Sequence, residues 1–385
     1  MNGFWNKLRR SKDLTAIGLS DTVGGVIVGI FWFYIASLIE PAEYGKLSFY
    51  IGIAGLTQSI SLIVTTNVIT VYTAKNVKIQ SSFFLLDIIA GIVTSSILIV
   101  VLSRVDVGLL VFGFIIFNLA TPILVGRKQY TKYMKYVLIQ KILTLVLGTT
   151  FYFIFGVNGI IMALVISFIH FIPIIHKEFR VTKIDFTLLI KSRKFFMINN
   201  YFVNLTSGFR RDVDKLIIPS IVGFAILGNY SLAIQIIMIM MILPTTIYKY
   251  ILPHDSSGVS KIRLKKLTVL MSLIISILGI FSTPIILQNF FPKYLGSIEA
   301  IQIMSISIVP GTISLLYTSK FLGSESSRPL LISTITQFVI ITVGIITLSP
   351  IFGMVGLAVT YVLSSVAHCV SLILSNKILK TKPNS

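Results

Sequence analysis

Acidic residues, histidine and cysteine are scarce in this chain, and each shortage removes a class of function. Only 13 of 385 residues are Asp or Glu, four are His and one is Cys. The lone cysteine, Cys369, can make no disulfide within the chain, and its place inside the last apolar run marks it as a small buried packing group. His170 and His368 fall within apolar runs with no second ligand at helical spacing, so neither a metal nor a cofactor is expected. Long polar segments are missing too. No loop between apolar runs could house an aqueous catalytic domain, and no acid–base–nucleophile constellation is present. A membrane-embedded sugar transferase or polymerase would need such a site at a large loop. The chain is therefore not expected to be an enzyme.

Charge of either sign is also low, at 12% of residues, whereas 55% are hydrophobic and the mean hydropathy is +0.92. That composition makes the bilayer the solvent for most of the chain. What charge there is leans strongly one way, with 33 Lys and Arg and a formal net charge of +20. Such a balance in a water-exposed domain would suggest nucleic acid. Here the bases sit in short loops between apolar runs, so they read as an orientation signal and no nucleic-acid partner is expected.

A span needs about 20 mostly apolar residues. Twelve candidates lie near 14–38, 46–73, 83–102, 107–125, 137–155 and 158–175, then 196–222, 226–252, 267–287, 298–320, 329–348 and 354–376. The basic stretch Met1 to Asp13 leads into a run too long for a signal peptide and without a small-residue cleavage site, so it reads as an uncleaved first helix. With the N-terminus in the cytoplasm, twenty-five of the 33 basic residues fall on the cytoplasmic side. Three (Lys46, Arg104, Lys293) fall outside, and five (Lys141, Arg210, Arg211, Lys215, Lys249) fall within spans. This asymmetry supports the count of spans and puts both termini in the cytoplasm. The expected class is an all-α, multi-pass protein of the cell membrane.

Two echoes show that the spans come in two copies. Residues 35–51 (IASLIEPAEYGKLSFYI) align with 218–234 (IPSIVGFAILGNYSLAI), with Ala42/Ala225, Gly45/Gly228 and Ser48/Ser231 among the identities. Near the end of each copy, Phe155-Gly156 with Gly159 recurs as Phe352-Gly353 with Gly356. The expected organisation is a six-helix bundle at 1–175, a basic cytoplasmic linker at 176–195 and a second bundle at 196–385, related by the repeat. Same-sense halves are a way transporters are built, with the cargo site at their interface.

Span 7 is the outlier. Arg210, Arg211, Asp212, Asp214 and Lys215 place five charges in six positions of a membrane run, where a mid-bilayer charge costs roughly 2.5–3.5 kcal/mol on insertion scales. With a helix turning about 100° per residue, Arg210, Arg211, Asp214 and Lys215 share one arc with Asn200, Asn204 and Ser207. Phe202, Leu205, Phe209, Val213 and Leu216 take the opposite side; Asp212 stands at the edge of the polar arc and Val203 intrudes into it. A polar stripe of this kind fits a water-filled cavity between the halves. Pairing at i+3 and i+4 would neutralise most of it and leave one net positive charge. The sharper reading is a cationic substrate site built from Arg210, Arg211, Lys215, Asn200 and Asn204, joined by Lys141 of span 5 if it faces the same cavity. Arginine suits phosphate because its planar fork donates two parallel hydrogen bonds.

Asp21 in span 1 and Asp214 are candidate coupling sites for H+ or Na+. Asp87 in span 3 could likewise be a coupling-ion or proton site, or a partner for a basic group such as Lys141, but about one turn into its span it reads better as a snorkelling side chain. Gly25 and Gly29 form a small-residue pair suited to a close helix contact, and Pro244 and Pro310 are expected to kink spans 8 and 10. The sequon at Asn204 lies within a span and is discarded.

The chain resembles the polysaccharide transporter family, the O-antigen and lipid-linked oligosaccharide flippases of the multidrug/oligosaccharidyl-lipid/polysaccharide exporter superfamily. The likeness rests on the two six-helix halves and on Pro-Ala-Glu-Tyr-Gly at 41–45. It rests also on Asp214-Lys215 followed by Gly228-Asn-Tyr230, and on the two Phe-Gly-x-x-Gly closures. The resemblance implies a V-shaped pair of bundles with alternating access. It implies as cargo a polyprenyl-phosphate- or diphosphate-linked sugar, whose head group meets Arg210, Arg211, Lys215 and Lys141 while its tail stays among membrane lipids. Other glycan-assembly proteins are compatible partners. A cation-coupled drug or metabolite exporter of the same superfamily, with Asp21 or Asp214 as its ion site, is the alternative.

Overall fold

The computed structural model describes residues 22–77, 79–182, 184, 194–256, 261–324, 326 and 328–381, and every regular element among them is helical. The first six spans are built from α1 (Thr22–Leu38), α2 (Pro41–Ser61), α3 (Thr66–Ala74), α4 (Gln80–Leu102), α5 (Val105–Gly126), α6 (Tyr130–Phe155), α7 (Val157–Phe168) and α8 (Ile172–Val181). Then come α9 (Lys194–Val222), α10 (Phe224–Met240), α11 (Ile242–Ser256), α12 (Ile262–Phe290), α13 (Ile298–Ser305), α14 (Ile308–Gly323) and α15 (Arg328–Thr381).

Six continuous segments are long and apolar enough to cross a membrane, and three bent pairs raise the number to nine. The pairs are α2 with α3 (48°), α10 with α11 (48°) and Pro292–Ser305 with α14 (44°). One of the nine, α15, breaks at Gly353 (φ 54°, ψ −127°) and so counts as two spans. Adding α1, whose described part is short, and α9, which carries too many charges for an apolarity test, gives the twelve read from the sequence. The chain is an all-α, multi-pass membrane protein.

The helices form two compact units, Met1–Ile35 with Phe49–Val213, and Ala36–Ser48 with Asp214–Ser385. In unit 1 the centre is α5, which packs against α3, α4, α6, α7 and α8. Two-thirds of its apolar stretch is buried, against about a fifth for α4 and α6. Hydropathy does not separate them, because α4 scores 2.5 and α5 scores 2.3. Val107, Leu110, Val111, Ile115 and Leu119 of α5 are fully enclosed. In contrast α4 exposes Ile92, Ile97, Val100 and Val101, side chains suited to lipid. Arg127 just past α5 makes a two-pronged pair with the buried Glu178 of α8, both contacts 2.6 Å. In unit 2 the fourth span again sits centrally, with α14 packed against α11, α12 and α15.

The repeat is visible in the backbone. Gly156 (φ 68°) and Gly353 (φ 54°) both take the left-handed turn that glycine alone adopts cheaply. Three residues on, a Cβ at Gly159 would collide with the Phe151 carbonyl, and one at Gly356 with the Leu348 carbonyl, each eight residues back. The other echo marks a crossing inside unit 2. There a Cβ on Gly45 would strike the Phe224 carbonyl, and one on Gly228 the Pro41 carbonyl. Equivalent glycines of the two copies thus face each other where the N-terminal turns of α2 and α10 meet.

Candidate functional site

α9 carries the charged segment. Within unit 1 it rests on α2 through a narrow strip spaced three or four residues apart. The Tyr201 hydroxyl donates to the Ile60 carbonyl at 2.9 Å, and Asn204 Nδ2 donates to the Ser59 carbonyl at 3.2 Å. Gly208 has no room for a side chain, because a Cβ there would lie 2.6 Å from Ser59 Cβ. One turn further, Asp212 Oδ2 lies 3.0 Å from where a Cβ on Gly55 would be. Two small residues, Gly55 and Gly208, are what let the helices approach so closely.

This contact orders the charges. Asp212, which the helical wheel leaves at the edge of the polar arc, is buried on the same face as Gly208. Arg211 Nε donates to Asp212 Oδ2 at 2.8 Å, with the Arg211 side chain 59% exposed and Asp212 9% exposed. Neighbouring residues on a helix do not face each other, so the arginine reaches round the helix to meet its partner. A pair so exposed at one end adds little stability, about 0–1 kcal/mol. Its effect is to keep a buried carboxylate from standing alone while the rest of the guanidinium stays accessible. Arg210 is exposed beside it.

The remaining expected residues are placed as follows. Asn200 is half-buried one turn before Asn204. Lys141 is half-buried on α6, and its Cγ lies 3.3 Å from a Cβ built on Gly24 of α1, so the lack of a side chain at Gly24 admits the lysine stem. In unit 2, Asp214 is buried and accepts the Lys215 backbone N–H at 2.8 Å. It lies within electrostatic reach of Tyr230 and Tyr361, and Lys215 is half-buried. Asp21 lies outside the described residues.

Two expectations change. Gly25 makes no close helix contact, since a Cβ there would meet nothing within 4 Å; the contact belongs to Gly24. Asp87 does not snorkel: its side chain is fully enclosed, and Oδ1 accepts the Val64 N–H at 2.8 Å. Tyr201, Gly55 and Ser59 also escaped the sequence reading. The one signal for them was Gly208, a small residue one turn from the arginines.

No protein-family model matches the chain, and no curated protein matches it. Solved structures do. An inward-facing multidrug resistance MATE family transporter of the MOP superfamily superimposes over 96% of this chain and all of its own, at TM-score 0.70 and 15% identity. The lipid II flippase MurJ in an inward closed conformation covers 94% of this chain and 87% of its own, at TM-score 0.73 and 11% identity. A MOP superfamily transporter from Pyrococcus furiosus, described as having a binding pocket of reversed polarity, covers 97% and 94% at TM-score 0.60 and 15% identity. The chain has the fold of MOP superfamily transporters.

Proposed function

We propose that the chain is a transporter that flips a lipid-linked oligosaccharide across the cell membrane by alternating access, for the making of cell-surface polysaccharide. The observation that carries this reading is the exposure of two adjacent arginines, Arg210 and Arg211, on an intramembrane helix of a fold that a lipid II flippase shares. A phosphate or diphosphate between sugar and polyprenyl tail is the anion that paired guanidinium groups recognise. Lys215, Lys141, Asn200 and Asn204 complete the proposed head-group site. Flipping makes and breaks no covalent bond, so this reading asks for no catalytic constellation. We further propose that both termini face the cytoplasm and that the duplicated halves, 1–175 and 196–385, are the moving bundles.

A second reading has equal structural support. The fold is also that of MATE multidrug transporters. A cation-coupled exporter would use Asp21 or the buried Asp214 as its ion site and would favour cationic cargo. The two separate in the host. With the gene deleted, lipid-linked oligosaccharides are measured by mass spectrometry and their sidedness by an impermeant probe. The flippase reading predicts a finished glycolipid trapped on the cytoplasmic face, cleared by the wild-type gene and not by Arg210→Ala with Arg211→Ala. Clearance by the double variant would overturn the site; an unchanged pool, with organic cations exported by the wild type, would favour the exporter.

A further inference from the structure

Unit 1 holds a carboxylate that the cargo site does not use. Asp87 of α4 is fully enclosed and sits against the bend between α2 and α3. In an unbroken helix the Val64 N–H would donate to the Ile60 carbonyl, four residues back. Here it donates to Asp87 Oδ1, and the Ile60 carbonyl accepts the Tyr201 hydroxyl of α9 instead. The carboxylate and the phenol each satisfy one half of the bond that the bend gives up.

The other oxygen, Asp87 Oδ2, is buried without a hydrogen-bond partner among the described residues, and so is Thr65 Oγ1 in the same break. The backbone N–H groups at the break, Val64 and the neighbouring Ile63, do not by themselves offset the cost of a bare carboxylate in apolar surroundings. Among the described residues, the ionisable groups on the helices around α4 do not supply a countercharge. Tyr72 comes from α3 and Tyr201 from α9. Asp106 of α5 is held by Arg104 at the far end of the helix, and Glu178 of α8 by Arg127. The basic residues of α8, His176, Lys177 and Arg180, are exposed on its outer side. A small positive species at Oδ2 is what the chemistry calls for, and broken helices are where transporters hold such ions.

We propose that Asp87 is a reversible monovalent-cation site, taking H+ or Na+ at Oδ2, and that its occupancy governs the bend between α2 and α3. With the cation in place the dry, bent site is tenable. Once it leaves, a bare carboxylate remains, and the bend opens to water. Tyr201 carries the change to α9, the helix that bears Arg210 and Arg211. The proposal rests on the transport reading for its purpose, yet its test needs no cargo, so either idea can fail without the other.

The test is a spin-label distance across the bend in the purified full-length protein, with labels at Ile53 and Lys75 in a Cys369→Ser background. Three conditions are compared: choline chloride at pH 8, sodium chloride at pH 8, and choline chloride at pH 5. The wild-type distance is expected to shift on adding Na+, which assigns the site to sodium, or only on acidification, which assigns it to the proton. Asp87→Asn, neutral and nearly isosteric, should give the loaded distance in all three. Should that variant not fold, Asp87→Glu should keep the response with a displaced midpoint. No shift in the wild type, a normal response in Asp87→Asn, or an unmoved midpoint in Asp87→Glu would overturn the proposal.

Discussion

The second span of each copy of the repeat bends by the same 48°, and the two bends are made differently. Between α10 and α11 the cause is covalent. Pro244 has no N–H to offer the Met240 carbonyl, and the backbone bonds beside that gap persist, Met241 N–H to Ile237 and Thr245 N–H to Met241, each 3.0 Å. Between α2 and α3 there is no proline. The bend is held from outside by Asp87 and Tyr201. One bend has a proline of its own span beside it; the other has a carboxylate and a phenol from two other helices on its freed backbone groups.

The most damaging way to break this comparison is Asp87→Leu. It leaves the buried Val64 N–H without an acceptor, which costs about 1–3 kcal/mol. Thermal unfolding in detergent should register a lowered midpoint, with Asp87→Asn close to wild type. If the leucine and asparagine variants melt alike, the hydrogen bond does not hold the bend. The next test sharpens the symmetry of the copies. Gly156→Ala and Gly353→Ala each force an L side chain into a glycine conformation, at roughly 1–3 kcal/mol, and the two losses should be similar. A loss in one position alone would mean that the closures are not equivalent. Tyr201→Phe removes a single hydrogen bond and should cost about 0.5–1.5 kcal/mol. It should also loosen the α2–α3 bend, measured by the same spin-label distance, and leave the α10–α11 bend untouched. Smallest in stability is Pro244→Ala, within about 1 kcal/mol either way. Its signature is geometric: the α10–α11 angle should fall, and an unchanged angle would remove proline as the cause.

Much of this was legible in the sequence, for reasons that differ by residue. Pro244 and Pro310 announce their bends because proline lacks a donor wherever it stands, and bends lie just before both. Gly45, Gly228, Gly156 and Gly353 could be matched by eye, and each is a place where the backbone excludes a side chain or requires positive φ. The charges of α9 stand out because the bilayer makes them expensive. The α2–α3 bend was not legible, since its cause lies on α4 and α9, distant in sequence. Nor was the contrast between α5 and α4, because lipid and protein core reward the same apolar side chains. The burial of Asp212, which the wheel leaves at the edge of the polar arc, was not legible for a related reason: a helical projection knows nothing of Gly55 on the facing helix.

The claim that most needs a direct measurement is that the α9 arginines handle an anionic lipid-linked head group. Purified protein in liposomes would be given a fluorescent polyprenyl-diphosphate sugar, and its inward and outward pools read by quenching with an impermeant reductant. The account predicts protein-dependent flipping by the wild type, lost in Arg210→Ala with Arg211→Ala although the variant melts normally. Flipping undiminished in that double variant would contradict it.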